Sequence, residues 1–293
     1  MKEQLTTLAD KLERHHYVAE PDLVTTLSLM DRLGRPLLLE GEAGVGKTEV
    51  GKILAEVNDC QLIRLQCYDG LDASTAVYEW NYSHQLLSIK LMENDREPIA
   101  KKESSIFTED YLLERPLLKA IRQATSPVLL IDEIDRTDEA FEAFLLELLS
   151  DFQISIPELG TIKASSSPRV ILTSNGTREL SDALRRRCLY YYMDFPDFEK
   201  ELRILHARLP GIQNRLAMQI AGFVQKVRKL DLRKQPGVAE TLDWASALTG
   251  FGVSELCSDE FIIQSSKTCL FKTREDLSQI NDNEIVQLIE AVS

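Results

Sequence analysis

Residues 41 to 48 read Gly41-Glu42-Ala43-Gly44-Val45-Gly46-Lys47-Thr48, and they follow directly on the apolar run Pro36-Leu37-Leu38-Leu39. An apolar strand, a glycine-rich turn and then a helix from Thr48 to Val57 is the order in which backbone N–H groups wrap a polyphosphate. Gly41, Gly44 and Gly46 permit a tight turn free of side chains. Lys47 is placed to reach the β- and γ-phosphates, and the Thr48 hydroxyl to ligate Mg²⁺. The eight residues together, Glu42, Ala43 and Val45 included, are the candidate binding loop for a nucleoside triphosphate.

Three later stretches extend the pattern. Leu129-Leu130-Ile131-Asp132-Glu133 is an apolar strand ending in two carboxylates. Asp132 is placed to hold Mg²⁺, directly or through water, and Glu133 to polarise an attacking water. The plainer reading is an acidic helix start (Asp132, Glu133, Asp135) that complements the helix dipole; the phosphate loop upstream favours the metal-and-water pair. The strand Val170 to Thr173 runs into Ser174-Asn175-Gly176, where Asn175 is a candidate to hydrogen-bond the γ-phosphate or the water, or is simply a turn asparagine before glycine. Leu184-Arg185-Arg186-Arg187-Cys188 puts three arginines on a short helix before a further strand. A charge run is ordinarily a solvated face. In this place an arginine can also point at a neighbouring subunit's γ-phosphate.

Around these motifs, apolar runs alternate with helical patterns as far as residue 196. Helices are expected over 3–15 and 21–33, with Pro21 in a first turn and Gly34 as a stop. Residues 61–66, 127–131, 169–173 and 188–193 read as strands, and the continuous apolar runs suit a parallel sheet covered on both faces. Residues 74–92 are rich in helix formers, 93–105 read as a polar loop, and 116–124 as a helix. Thr137 is the expected N-cap of a helix whose Phe141, Phe144, Leu145 and Leu148 form one buried stripe. Residues 154–156 and 161–163 flank Pro157-Glu158-Leu159-Gly160 as a β-hairpin. Beyond Pro196 only helices are expected, at 199–208, 214–230, 238–248 and 282–292. Strands alternating with helices, then helices alone, predict a wound α/β domain followed by a helical one.

The 293 residues carry a formal charge of −13, a field that repels nucleic-acid phosphates and anionic membranes. No run of 18 or more apolar residues occurs, and Met1-Lys2-Glu3-Gln4 lacks signal-peptide character, so a cytoplasmic protein that avoids membranes is expected. Five scattered cysteines suit reduced thiols, and neither they nor His15, His16, His84 and His206 show metal-ligand spacing. Mg²⁺ is the metal expected.

The order Gly-Glu-Ala-Gly-Val-Gly-Lys-Thr (41–48), Ile-Asp-Glu-Ile-Asp-Arg (131–136), Leu-Thr-Ser-Asn (172–175) and Ala-Leu-Arg-Arg-Arg-Cys (183–188) resembles an AAA+ ATPase. More narrowly it is similar to the MoxR family and its CoxD-like branch, associated with carbon monoxide dehydrogenase maturation. The segment around Ala76 to Tyr82 resembles that clade's insert into the second helix, and Ile154 to Ile162 its hairpin before the sensor strand. The resemblance implies an α/β P-loop NTPase core over 1–196, with a wound five-stranded parallel sheet, a helix-2 insert at about 72–95 and a hairpin insert at about 152–166. A small all-α lid over 197–293 completes it. It further implies ATP and Mg²⁺ as cofactors, Lys47 and Thr48 on phosphate and metal, and Asp132 and Glu133 as the metal and water-activating pair. Asn175 is implied as first sensor, and Arg187, then Arg186, as the arginine finger of a homo-oligomer such as a hexameric ring. One departure stands out. The family often has a second-sensor arginine at the start of a lid helix, where this chain reads Gly237-Val238-Ala239-Glu240-Thr241, with Arg233 and Lys234 a few residues earlier.

The function the resemblance implies is a remodelling or maturation chaperone acting on a partner protein, such as a metalloenzyme of the molybdenum hydroxylase type, beside a von Willebrand factor A-type partner. The alternatives are a nucleic-acid motor or loader, which the acidic charge disfavours, and a non-hydrolysing scaffold, which the intact Lys47, Asp132 and Glu133 disfavour. Tyr78, Trp80 and Tyr82 either pack on the domain's own core or face a partner.

Overall fold

Val128–Asp132 is buried at every position, and that explains its unbroken apolar character: it is an inner strand covered on both faces. In the computed structural model residues 2–92 and 106–292 are described. Among them the strands are β1 (Leu37–Glu40), β2 (Leu62–Gln66), β3 (Tyr78–Trp80), β4 (Leu112–Glu114), β5 (Val128–Asp132), β6 (Gln153–Ile156), β7 (Gly160–Lys163), β8 (Arg169–Ser174) and β9 (Leu189–Tyr192). Five form one sheet in the order β2-β5-β8-β1-β9. The pairs β2–β5, β5–β8 and β8–β1 are parallel, with Gln66 opposite Asp132, Ile131 opposite Leu172 and Leu39 opposite Thr173. That register brings the polar ends of β5 and β8 side by side. The expected wound α/β class and five-stranded sheet are present.

Contacts divide the chain into two compact units. One holds Thr25–Glu40 and Gly51–Tyr191; the other holds Met1–Val24, Gly41–Val50 and Tyr192–Ser293. The unit that holds the C-terminal helices also takes the N-terminal residues and the phosphate loop. In the sheet unit the core joins Leu38, Ile63, Leu129, Ile131, Val170 and Leu172 to Phe141, Leu145 and Leu148 of the Glu139–Asp151 helix. Gly51 allows close packing in this unit: a Cβ there would lie 3.2 Å from a Leu130 methyl.

The helical unit packs Trp244, Phe223, Leu216, Ile220, Leu248 and Ile285 into a second core. Its Phe198–Arg208, Asn214–Val227, Val238–Gly250 and Asp282–Glu290 helices answer the expectation within a few residues, and two more, Glu260–Leu270 and Arg274–Gln279, went unread. Within it Glu201 and Arg228 form a buried ion pair. Burial pushes the Glu201 carboxyl up, while Arg228, Thr241 and Gln225 pull it back by hydrogen bonds. Among the described residues no helix is long and apolar enough to cross a membrane.

The insert departs most from expectation. The 74–92 segment is not one helical region: the Ala73–Val77 helix gives way to β3, and the Tyr82–Leu91 helix follows. β3 pairs antiparallel with β4, Trp80 opposite Leu112, so a distant partner overrides local helix propensity. The polar loop expected over 93–105 lies outside the described residues. Thr137 is not the N-cap; Asp138 is, and its carboxylate accepts from the Phe141 N–H at 2.8 Å. Ile134–Arg136 forms a 3-10 turn before it, which shifts the helix start by one residue. The helix expected to Ala124 stops at Ile121. The 154–163 hairpin is present as β6 and β7.

Candidate functional site

The phosphate loop is a backbone structure. Gly44 and Gly46 take φ of +85° and +101°, a region closed to most side chains, and Gly41 passes so near Met193 that a Cβ would sit 2.2 Å from its carbonyl oxygen. Val45 is buried and anchors the loop, while Glu42, Ala43 and Gly44 are exposed. Lys47 begins the Lys47–Val57 helix, is itself buried, and donates from Nζ to the Gly41 and Glu42 carbonyls at 2.7 and 2.8 Å. The loop is thereby folded over its own ammonium. A loop free of Cβ atoms at its two left-handed positions, with a buried cation and a helix N-terminus, fits a polyphosphate. In the same unit a cavity of about 500 Å³ is lined by Glu13, His16, Tyr17, Arg203 and His206.

The acidic end of β5 is built in the other unit, from side chains on several strands. Asp132 is buried, and both its oxygens are engaged: Oδ1 accepts from the Thr173 hydroxyl at 2.5 Å, and Oδ2 from Arg64 of β2, whose Nε is 3.1 Å away and whose Nη2 also pairs with it. Thr173 Oγ1 in turn accepts the Glu133 N–H at 2.9 Å. One hydroxyl on β8 therefore fixes both acidic residues. Glu133 stands at φ +58°, unusual for a residue with a side chain, and strain of this kind, about 1–3 kcal/mol, gathers at functional turns. Its carboxylate is partly exposed and pairs with Arg136 at 2.7 Å.

Asp135, which entered the sequence reading only in the alternative of an acidic helix start, is buried and serves the neighbouring loop. Its Oδ2 accepts from the Asn175 N–H at 3.2 Å, the Thr177 N–H at 3.0 Å and the Thr177 hydroxyl at 2.7 Å. Asn175 is thus held beside the acidic residues by its backbone. The charge gathered here is felt by the Cys67 thiol, pushed up to about 12 by burial first and then by Asp132, Asp135 and Glu133.

The three arginines separate by partner. Arg185 pairs with Glu40 at 2.8 Å and lies over the Tyr190 ring, a contact that pushes its pKa higher still through the Glu40 hydrogen bond. It is spent inside its own unit. Arg187 is exposed but donates from Nε to the Ser150 hydroxyl at 2.7 Å. Arg186 is exposed, and among the described residues its side chain makes no hydrogen bond or ion pair. Arg186 thus joins Arg187 as a candidate to reach outward, its guanidinium being uncommitted among the described residues while that of Arg187 rests on Ser150. The helix carrying them, Asp182–Arg187, is anchored at its start through Glu142, which accepts from the Ser181 N–H at 2.9 Å and pairs with Arg178. Arg35 closes its end by donating to the carbonyls of Arg186, Arg187 and Cys188.

Thr173, Asp135, Arg64, Glu142 and Arg35 were all missed from the sequence. Thr173 did leave a signal, a hydroxyl at the end of an otherwise apolar strand expected beside the acidic one. Arg64 and Arg35 left none, since their partners lie far away in the chain. Trp80 is buried edge-on against Phe107 and Tyr78 and belongs to the core of the sheet unit, with Tyr78 packed against it; Tyr82 is exposed.

Residues 36–188 match the AAA domain of the dynein-related subfamily. Among curated proteins the chain is similar to the gas vesicle ATPase GvpN of Haloferax mediterranei, at 26% identity over 78% of this chain and 67% of that one. It is also similar to the gas vesicle ATPase GvpN1 of Halobacterium salinarum, at 24% identity over 75% of this chain and 65% of that one. The chain thus spans about two thirds of each relative's length. Among solved structures, the RuvB Holliday junction branch migration motor of Thermotoga maritima aligns with 90% of this chain and 69% of its own, at 18% identity and a TM-score of 0.46.

Proposed function

The chain belongs to the AAA domain family, dynein-related subfamily, and on that premise we propose that it is an oligomeric, Mg²⁺-dependent ATPase that remodels or matures a partner protein. The observation that carries the ATP reading is the loop itself, with its left-handed Gly44 and Gly46 and the buried Lys47. Lys47 and the loop amides hold the β- and γ-phosphates. The Thr48 hydroxyl and the Asp132 carboxylate are hard oxygen donors suited to Mg²⁺. With Asp132 Oδ2 on Arg64, contact to the metal through water is the arrangement that leaves the pair intact. Mg²⁺, when bound, neutralises charge on the transferring phosphoryl oxygens. Glu133 accepts the proton of the attacking water, Asn175 orients that water or the γ-phosphate, and Arg186 completes a neighbour's site in a ring such as a hexamer. That two relatives are gas vesicle ATPases supports hydrolysis.

A protein partner is supported by the Tyr82–Leu91 helix, which is inside out. Gln85 is 4% exposed and binds the Ile106 carbonyl, whereas Leu86, Leu87 and Leu91 are 59%, 56% and 74% exposed. Apolar groups turned outward on a helix are a surface for protein rather than for phosphates. The finer placement in the CoxD-like branch of the MoxR family, with a molybdenum-hydroxylase client and a von Willebrand factor A-type partner, rests on this insert and the β6–β7 hairpin. Turnover measured per subunit against protein concentration, with and without DNA, tests the reading. A steep rise with concentration and no response to DNA is expected. Constant turnover in a monomeric sample, or stimulation by DNA, would contradict it.

A further inference from the structure

Within the helical unit the phosphate loop meets the start of the Val238–Gly250 helix through backbone. The Val238 N–H donates to the Gly44 carbonyl at 2.9 Å. Gly44 and Gly237 approach so closely that a Cβ on Gly237 would lie 2.7 Å from both Cα and O of Gly44, and a Cβ on Gly44 2.9 Å from Gly237 Cα. No side chain fits at either place. Gly237 is also the N-cap of the Val238–Gly250 helix, and its N–H donates to Glu240 Oε2 at 3.1 Å.

The helix start cannot slide away from the loop, because what lies behind it is fixed. Arg228 donates from Nε to the Pro236 carbonyl at 2.9 Å and is locked by the buried Glu201, which also accepts from the Thr241 hydroxyl at 3.0 Å. A second grip joins the same parts: Arg208, at the end of the Phe198–Arg208 helix, pairs with Glu49 in the first turn after the loop. Of the cations nearest in sequence, Arg233 turns its side chain toward another element, and the backbone of both Arg233 and Lys234 is tied to that element. Arg233 faces Glu275 at 3.6 Å, and the Arg233 and Lys234 N–H groups donate to Asp276. The charged group that does stand at the helix start is Glu240, whose like charge would oppose direct contact with a γ-phosphate.

We propose that Gly237 is a positioning residue for the phosphate loop, and that the lid helix reads occupancy of that loop through the Gly44 carbonyl, responding to a nucleoside diphosphate as fully as to a triphosphate. This rests on the ATPase reading. The hydrogen bond weakens steeply with distance and angle, so any shift of Gly44 as the loop closes on a β-phosphate is passed to the Val238 amide. The two groups that make the link, the Gly44 carbonyl and the Val238 amide, are not among those assigned to the γ-phosphate.

Amide hydrogen exchange of residues 237–250 in the full chain tests the proposal, in three conditions: no nucleotide, saturating ADP, and a saturating non-hydrolysable ATP analogue. The two nucleotides should slow exchange of this segment by equal factors, to within about twofold. Gly237→Ala, whose methyl forces the two glycines apart, should abolish the response at saturating nucleotide. Arg208→Ala is the milder variant, should Gly237→Ala not fold; it should shrink the ADP and analogue responses equally, which a merely structural loss would not do. A response to the analogue alone, or a wild-type response in either variant, would overturn the proposal. Calorimetry on the same samples separates it from its premise. If wild type binds no nucleotide, the ATPase reading falls and this inference with it; binding with an unresponsive lid overturns this inference alone.

Discussion

In the loop Gly41–Thr48 the groups that matter are carbonyls, amides and one ammonium, all set by glycines within the loop and by Lys47 donating to carbonyls five and six residues back. At the end of β5 the same work of holding charge in place is done by side chains from distant strands: Thr173 on β8 ties Asp132 to the Glu133 amide, Arg64 on β2 holds the other Asp132 oxygen, and Asp135 secures the Asn175 loop. The first half is specified by eight consecutive residues. The second depends on strand register, because only the pairing of β5 with β8 brings Thr173 to Asp132. A loop of the first kind is damaged chiefly at its own glycines and lysine, and at the few groups packed directly on it, such as Gly237. A cluster of the second kind can be damaged from residues that never touch substrate.

The largest effect that sharpens this contrast is expected at the arginine helix. Arg186→Ala should lower turnover about 10³–10⁵-fold, the usual worth of an arginine finger. Arg187→Ala should cost far less, since its guanidinium is already committed to Ser150. Mixing Arg186→Ala with Lys47→Ala subunits should restore part of the activity, because each supplies what the other lacks at one interface. Equal losses for the two arginine variants would return Arg187 to first place.

A smaller effect is expected one shell further from the reaction. Thr173→Val keeps the shape of the strand and removes the hydroxyl that joins Asp132 to Glu133. Loss of such an outer partner ordinarily costs about 10–100-fold in metal affinity or activity. The Mg²⁺ concentration for half-maximal turnover should rise while ATP affinity measured in EDTA stays near wild type. An unchanged Mg²⁺ dependence would show that Asp132 is positioned without Thr173.

The same contrast explains what could be read from the sequence. The phosphate loop, the sheet strands, the hairpin and most of the terminal helices were legible because each is announced by a local signal: glycine spacing, continuous apolar runs, or a stripe at helical period. The Tyr82–Leu91 helix was legible as a helix, but not as one that buries Gln85 and Ser88 and exposes its leucines, since that pattern is set by Ile106 and Tyr111 far along the chain. β3 is three residues long and exists through its pairing with β4, so no window around Trp80 could reveal it. The arginine run was visible, yet its members look alike until Glu40 and Ser150 are seen to take two of the three. Role within a cluster is non-local, and that is where reading failed.

The division of labour between the two halves can be tested on one pair of variants. Calorimetric titration of Mg-ATP, with phosphate release measured on the same samples, should show Glu133→Gln binding ATP as wild type does while turnover falls about 10²–10⁴-fold, because the amide cannot accept the water's proton. Lys47→Ala should lose binding itself, having removed the ammonium around which the loop is folded. Near-wild-type turnover in Glu133→Gln, or unimpaired binding in Lys47→Ala, would contradict the assignment of binding to the loop and hydrolysis to the end of β5.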